Sequence, residues 1–263
     1  MSAGPSHSDG GMAGQEIFEN VYRKRQTVLH HMAYMRMAKV LLALEILQNA
    51  RIDLDRKAIF DYGFGAGTFF LHCPISARIA GVEIDPVHVA DVQRKLQRRG
   101  FSNVRLQTIV IEQWEQHPLL REQYDIFLCS HVLEHLPDPV KFLCRIRSCI
   151  KSDGVFVGLV PLNERRPNPH HVQTCDRTKI QEWLGQAGLK TRCYMESDPW
   201  LFWLQPFFAN DTGLRHRLAQ VSSLILGVPA TLLGHRVWEA LSPWCARLTG
   251  SKPTQAAFVA QPG

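Results

Sequence analysis

Short apolar stretches alternate with helix-start signals along the middle of the chain, and this alternation limits the fold more than any other feature. Two of the intervening segments open with Asp85-Pro86 and Asp138-Pro139, an N-cap residue followed by proline at the first helical position. Strands that alternate with helices predict right-handed βαβ units and a mostly parallel sheet. The predicted strands are Lys57–Asp61, Ala77–Ile84, Val104–Val110, Tyr124–Cys129 and Val155–Val160.

Three glycines follow the first predicted strand at alternate positions, in the stretch IFDYGFGAGTFFL. Gly63, Gly65 and Gly67 precede a helix predicted from Thr68 to about Cys73, so they lie at the carboxyl end of a strand, where open α/β sheets bind ligands. Without β-carbons they let the chain turn sharply and let a ligand approach the backbone. The spacing is GxGxG rather than GxGxxG, so the dinucleotide fingerprint is not met and a plain turn remains an alternative.

An acidic residue ends the second predicted strand. Glu83 follows Asp61 by 22 residues, close to the interval at which a carboxylate binds a ribose in nucleotide-binding α/β proteins. Two ribose hydroxyls can donate to its two oxygens. The alternative is an exposed acid at a strand end, and the neighbouring glycines favour ribose binding.

The segments DYGFGAGTFF, AGVEIDP and YDIFLCSHVLEHLPDPVKFLCRIRSCIKSDGVFVGLVP together resemble the Rossmann-like class of S-adenosylmethionine-dependent methyltransferases. They are most similar to the branch that contains quinone and small-molecule methyltransferases. The resemblance covers roughly residues 57–193. It implies an α/β fold with a doubly wound, mostly parallel seven-stranded sheet of order 3-2-1-4-5-7-6, in which the seventh strand is antiparallel. It also implies S-adenosylmethionine as cofactor.

The resemblance also implies which residues form the site. The methionine end of the cofactor would lie over the glycine loop, and Glu83 would be the ribose acid. The adenine acid of the family is replaced here by Val110, so either Glu112 substitutes or backbone groups near Val110 and Ile111 hold the ring. The implied cofactor-binding residues are Asp61, Gly63, Gly65, Gly67, Glu83, Val110, Glu112 and Ser130.

Residues 131–135 spell HVLEH, which also fits the HxxEH signature of some zinc peptidases. That signature needs a helix that displays both histidines, whereas this segment follows a strand directly and runs into Leu136-Pro137. In quinone O-methyltransferases of the branch, an ExxEH segment here is associated with a divalent metal. His131 replaces the first glutamate, so we assign no metal ligands and expect Glu134 and His135 to hydrogen-bond neighbouring loops.

An oxygen acceptor would need a base near neutral pH, and histidine suits that role. His131, which the resemblance places beside the transferred methyl group, is the first candidate. His170 and His171, in a predicted lid at Asn163–Val172, are weaker candidates. A carbon or amine acceptor would need none of them.

The remaining segments predict how the chain is organised around a methyltransferase domain at 57–212. We expect a disordered tail at 1–14, an N-terminal helical cap at 15–56 and a C-terminal apolar helical extension at 213–263. The cap includes Tyr22 and Tyr34, and five aromatics in Trp200–Phe208 favour an apolar or aromatic small-molecule acceptor. The uncharged run Leu218–Gly234 is too short to span a membrane, and it suits a pocket cover, a homodimer contact or a peripheral membrane contact through 213–250.

Charge and cysteine content limit the alternatives. The formal charge of +6 would suit a nucleic acid, but Cys129–Val132 lacks the Asp/Asn-Pro-Pro-aromatic element of base methyltransferases. An RNA methyltransferase and a non-catalytic binding protein on the same fold stay as alternatives. Seven cysteines without CxxC spacing, and no apolar leader, predict a reducing cytoplasm with membrane association left open.

Overall fold

The computed structural model describes residues 34–164, 170–197, 221–222, 225, 240, 244, 246–248 and 250–263. The predicted tail at 1–14, Tyr22, the aromatic run at 200–208 and most of 218–234 lie outside these residues. Within them a single seven-stranded sheet has the order β3-β2-β1-β4-β5-β7-β6, and β7 is antiparallel to both of its neighbours. The predicted α/β class and strand order are therefore confirmed. The strands are β1 Ala58–Tyr62, β2 Arg78–Glu83, β3 Val104–Thr108, β4 Tyr124–Ser130, β5 Ile150–Pro161, β6 Leu189–Ser197 and β7 Gln255–Pro262.

Among the described residues, four α-helices have both of their ends defined: α1 Tyr34–Asn49, α2 Pro86–Arg98, α3 Pro139–Arg147 and α4 Arg177–Gln186. Both predicted aspartate caps are present. Asp85 accepts a hydrogen bond from the backbone N–H of Val87 at 2.8 Å, and Asp138 accepts one from that of Lys141 at 2.9 Å. Each cap satisfies an N–H that the first helical turn leaves without a partner.

The core consists of two apolar layers, one on each face of the sheet. Alternate strand residues point to opposite faces, so Phe60 and Phe127 belong to one buried cluster while Ile59 and Ile126 belong to the other. Helices α3 and α4 contribute to the first cluster, and α1 and α2 to the second. The helices therefore cover both faces and leave the carboxyl ends of the parallel strands to build a site.

The prediction that a helix starts at Thr68 and runs to about Cys73 is wrong. Only a single 3-10 turn, Phe70–His72, forms there. Pro74 follows Cys73 directly, and a proline disfavours helical geometry in the residue before it. Cys73 is accordingly extended. The glycine loop is thus joined to β2 by a turn rather than by a full helix.

The expectation of a helical extension over 213–263 is wrong for its last part. Gln255–Pro262 is strand β7, inserted between β5 and β6, and its residues 255–260 are buried. A strand covered on both faces has no polar alternation, which removes the usual signal of a strand. None of the helices in the described ranges is long and apolar enough to cross a membrane.

Candidate active site

The glycine loop lies between β1 and β2 with all three glycines in left-handed geometry. The φ angles of Gly63, Gly65 and Gly67 are 75°, 52° and 67°. A β-carbon on Gly67 would lie 2.4 Å from a methyl group of Val92 in α2, so the loop packs tightly on that side. A β-carbon on Gly65 would meet no atom of the described chain within 4 Å. Gly65 therefore presents bare backbone to open space, which a ligand can approach.

Glu83, at the end of β2, is tied to this loop. Its Oε2 accepts a hydrogen bond of 2.6 Å from the backbone N–H of Gly65, and its Oε1 accepts one of 2.8 Å from that of Ile84. The side chain is 4% exposed. Burial raises the pKa of Glu83, although backbone N–H groups, first that of Gly65, oppose the rise. The predicted ribose acid thus lies against the glycine loop, held by amides that favour its charged form.

Asp61 in β1 is the second buried acid beside the loop. It is 3% exposed, and its Oδ1 has no hydrogen-bond partner among the described residues. Burial and the nearby charge of Glu83 raise the pKa of Asp61 well above its ordinary value. A buried acceptor without a donor costs about 1–3 kcal/mol, so this oxygen is suited to accept a hydrogen bond from a ligand.

The adenine region after β3 is apolar and exposed. Val110 and Ile111 are 54% and 57% exposed. Glu112 follows them in the 3-10 turn Ile111–Gln116 and is also exposed. Both arrangements predicted for adenine, a carboxylate at Glu112 or backbone groups at Val110 and Ile111, stay predictions.

Ser130 ends β4, and the chain turns sharply at His131. The φ angle of His131 is 55°, a left-handed geometry that is uncommon for residues other than glycine and clusters at functional sites. Its backbone N–H donates to the carbonyl of Leu159 at 2.8 Å. The turn therefore holds the His131 side chain at the same end of the sheet as the glycine loop.

The His131 ring lies between two side chains. Its Nδ1 is 3.2 Å from Oε1 of Glu134, and its Nε2 is 3.3 Å from Oε1 of Gln255 in β7. Burial and the nearby Lys39 ammonium lower the pKa of His131; Glu134 and Gln255 oppose this, and the net direction is downward. Lys39 and Gln255 were not predicted because they come from α1 and β7, at opposite ends of the chain.

Three more histidines, His135, His170 and His171, form a second group of contacts around the turn that carries Glu134. Nδ1 of His135 is 3.0 Å from the backbone carbonyl of His170, and its ring meets that of His171 edge-on, with centroids 4.7 Å apart. Nδ1 of His171 is 2.8 Å from Oε2 of Glu164. The exposed His170 thus contributes its carbonyl here, while the His171 ring packs against the turn that carries Glu134.

The peptidase alternative for HVLEH needs a helix, and this segment forms only the three-residue 3-10 turn Leu133–His135. His131 precedes that turn in left-handed geometry, so the two histidines do not share a helical face. A different set of ligand atoms does converge. One each from Glu134, His135 and His171 lie within 4.8 Å of one another, and His171 was not among the residues of any predicted metal motif.

Comparisons with known proteins agree with this architecture. Residues 60–158 match the family described as methyltransferase domain. The ubiquinone biosynthesis O-methyltransferase of Histophilus somni (strain 2336) is 29% identical over 118 residues, which is 43% of this chain and 48% of that protein. The chain thus spans about half the length of the curated relatives that it matches.

Solved structures match over nearly the whole chain at low identity. Magnesium protoporphyrin IX methyltransferase from Synechocystis PCC 6803 with bound SAH is 13% identical, with a TM-score of 0.55 and 96% of each chain covered. The [4+2]-cyclase SpnF is 16% identical, with a TM-score of 0.59, and the match covers 100% of this chain and 98% of SpnF. At such identities the likeness shows the fold alone.

The sheet order, the glycine loop and the acid at the end of β2 define a Rossmann-like nucleotide-binding domain. With the family match, residues 60–158 form a methyltransferase domain of the class I S-adenosylmethionine-dependent type. The loop has the features that such a cofactor requires: no described atom lies within 4 Å of the β-carbon position of Gly65, and the buried carboxylates of Asp61 and Glu83 lie beside it.

Proposed function

We propose that this protein transfers a methyl group from S-adenosylmethionine to a small-molecule acceptor, preferentially to an oxygen atom. The observation that carries the proposal is the glycine loop with open backbone at Gly65, flanked by the buried carboxylates of Asp61 and Glu83. An uncharged ligand without hydrogen-bond donors would not compensate the two buried carboxylates beside this loop. A ligand with an ammonium group and a ribose uses both.

The cofactor is proposed to lie across the carboxyl ends of β1, β2 and β3. Its amino acid end would rest on the Gly63–Gly67 backbone, with the ammonium donating to Asp61. The ribose hydroxyls would donate to Glu83, which shares its carboxylate with the Gly65 amide. The adenine would pack on Val110 and Ile111, whose exposed side chains offer an apolar face, with Glu112 as the nearest acid.

Methyl transfer from a sulfonium needs an aligned nucleophile and little water, because the donor itself is already reactive. Ser130 and His131 at the end of β4 would form the wall beside the methyl group. His131 is proposed as the general base that takes the proton of a hydroxyl acceptor. Its ring is positioned by Glu134 and Gln255, so it is already oriented before an acceptor arrives. His170 and His171 are weaker candidates for the same role.

The proposed acceptor class rests on the curated relatives, which are named as O-methyltransferases of ubiquinone biosynthesis. The match covers 43% of this chain, so the acceptor-binding segments outside it can differ. An aromatic hydroxyl compound is the proposed class.

The direct experiment has two stages. Calorimetry first measures binding of S-adenosylmethionine and of its demethylated product to the wild type and to Glu83→Gln, where we expect binding to the wild type and weaker binding to the variant. Radiolabelled methyl donor is then incubated with a catechol, with the matching aromatic amine and with fractionated host extract. Label in the catechol or the organic-soluble fraction supports the proposal.

A second candidate is a cofactor-binding protein that performs no methyl transfer. The specific observation is that the [4+2]-cyclase SpnF matches this fold over the whole chain. Tight cofactor binding without label in any fraction would favour that candidate. Label in the RNA fraction would instead favour a nucleic-acid methyltransferase.

A further inference from the structure

The turn after β4 and the segment after β5 are joined through one carbonyl group. The backbone carbonyl of Glu134 accepts hydrogen bonds from the N–H groups of Val172 and Gln173, at 2.9 and 3.0 Å. These bonds fix the position of His171 relative to Glu134 and His135. One potential ligand atom from each of the three side chains then lies within 4.8 Å of the other two.

Both histidines of the cluster have their Nδ1 atoms directed at oxygen acceptors. His135 Nδ1 contacts the carbonyl of His170 at 3.0 Å, and His171 Nδ1 contacts the carboxylate of Glu164 at 2.8 Å. Because a carbonyl or carboxylate accepts a hydrogen bond, the proton of each neutral ring lies on Nδ1 and the lone pair on Nε2. Metal-binding histidines show this pattern: the outer acceptor fixes the tautomer and the ring orientation.

The third member of the cluster is a fully buried carboxylate. Glu134 is 0% exposed, and neither of its oxygens accepts a well-aligned hydrogen bond from the described side chains. Nδ1 of His131 lies 3.2 Å from Oε1, and the two groups form an ion pair when that ring is protonated. A buried carboxylate is retained at such a cost when a cation or a donor compensates it.

We infer that Glu134, His135 and His171 bind one divalent transition-metal ion of the zinc type. Two imidazole nitrogens and one carboxylate oxygen suit zinc and its first-row neighbours, whereas Mg²⁺ prefers oxygen ligands. Ligand bonds of about 2.0–2.2 Å place tetrahedral ligand atoms about 3.4 Å apart, so atoms that are now up to 4.8 Å apart must approach by up to about 1.4 Å when the ion binds. Three protein ligands leave a coordination position open for a small molecule.

This proposal departs from the ligand set that the ExxEH resemblance suggests. His131 occupies the first position of that segment here, but it lies outside the cluster and against Gln255. His171, 36 residues after His135, takes the third place instead. When bound, the ion would orient and acidify a hydroxyl group of the acceptor. Binding of the ion does not depend on methyl transfer, so its test is independent of the proposed function.

The test is a direct measurement of metal binding to protein first freed of metal with a chelator. Calorimetry with Zn²⁺ is expected to give one ion per chain, and Co²⁺ is expected to develop the visible absorption of a site with nitrogen ligands and low coordination number. Mg²⁺ is expected to bind more weakly than Zn²⁺. His171→Ala is expected to lose more than the roughly 100-fold in affinity that removal of an outer-shell partner costs.

Two neighbouring histidines provide matched controls. His170→Ala keeps the backbone carbonyl that accepts from His135, so it should bind Zn²⁺ like the wild type. His131→Asn should lose no more than the roughly 10- to 100-fold that an outer-shell partner contributes, since His131 contacts Glu134 but lies outside the cluster. Glu164→Gln should weaken binding about 10- to 100-fold, because the amide is a poorer acceptor for the His171 ring. Circular dichroism establishes that each variant is folded.

Several results would overturn the proposal. The first is that the wild type does not bind one Zn²⁺ ion per chain. The second is that His171→Ala keeps the wild-type Zn²⁺ affinity. The third is that His131→Asn loses as much Zn²⁺ affinity as His171→Ala does. The last result would move the site to the HVLEH segment alone. None of these results bears on whether the glycine loop binds S-adenosylmethionine, which calorimetry with that compound decides separately.

Discussion

The carboxylate of Glu83 accepts a hydrogen bond of 2.6 Å from the backbone N–H of Gly65, so the acid of β2 and the glycine loop after β1 form one structural unit. Oε1 of the same carboxylate is held by the Ile84 N–H. The loop therefore has its open face defined before any ligand arrives. Preorganisation of this kind lowers the ordering cost of binding.

Glu83→Gln is expected to weaken S-adenosylmethionine binding by about 1.5–3 kcal/mol, the range for hydrogen bonds to a charged group. The amide keeps one acceptor oxygen but directs its NH2 group at a backbone N–H or at a ribose hydroxyl. Calorimetry measures the affinity. Glu122→Gln is the matched control, since Glu122 pairs with Arg105 on the surface and not with the loop. Equal affinities in the two variants would argue against the ribose role.

Gly65→Arg is expected to abolish cofactor binding by filling the space over the loop. The φ angle of 52° adds a strain of about 1–2 kcal/mol for any side chain, so loss of stability must be separated from loss of binding. Gly100→Arg is the control because Gly100 also has a positive φ, 88°, and open space around its β-carbon position. It should show similar destabilisation in thermal unfolding with unchanged cofactor affinity. Wild-type affinity in Gly65→Arg would contradict the placement of the methionine moiety.

Asp61→Asn is expected to stabilise the ligand-free protein at neutral pH by about 1–3 kcal/mol, because a buried acid is replaced by a neutral group. The pKa of Asp61 is raised on folding by burial and by Glu83. The folded state therefore disfavours ionisation of Asp61. The resulting loss of wild-type folding stability is absent below the pKa that Asp61 has in the unfolded chain, and it grows as the pH rises towards the pKa in the folded protein.

Thermal unfolding of both proteins at about pH 3.5, below the unfolded pKa, and at pH 7 tests this sign. The advantage of the variant should be present at pH 7 and absent at the lower pH. Its affinity for S-adenosylmethionine should fall at the same time, since the ammonium group loses the negative charge of its acceptor. A variant that is less stable at pH 7 would mean that Asp61 has a compensating donor.

The alternation of strands and caps was enough to predict five of the seven strands, because each signal is local, whereas the full strand order came from the family resemblance. Asp85 and Asp138 cap their helices as expected, and the strands end within a few residues of the predicted positions, apart from an earlier start of β5. The short glycine connection was misjudged at Thr68–Cys73, where Pro74 prevents a helix. The helix propensity of Thr68–Cys73 was overridden by Pro74, the residue that follows this segment.

The site was predictable only where its residues follow strands. Glu83 and the glycines were found because the carboxyl ends of adjacent parallel strands meet at one edge. Gln255 of β7 contacts His131, and the charge of Lys39 in α1 lowers the pKa of that ring, but no spacing in the sequence relates these residues. The grouping of His171 with Glu134 depends on hydrogen bonds between two connecting segments, which a sequence does not record.

His131→Asn is expected to slow turnover about 100- to 10,000-fold with an oxygen acceptor, the range for loss of a general base. Asparagine tolerates the left-handed geometry at φ 55°, so the fold should be kept, whereas His131→Ala adds strain. Steady-state kinetics should show the loss in kcat with cofactor affinity nearly unchanged. An unaltered rate in the asparagine variant would remove His131 as the base.

Gly158→Ala is expected to destabilise the sheet between β5 and β7. A β-carbon at this position would lie 2.3 Å from the ring of Phe258, and both residues are in the core. Overpacking of this kind costs about 1–3 kcal/mol, which chemical denaturation can measure. Phe258→Leu makes room at the same point, so the double variant should recover part of the loss relative to the sum of the single changes. Strictly additive effects would mean that the two side chains are not in contact, and β7 would then not pair with β5 in this register.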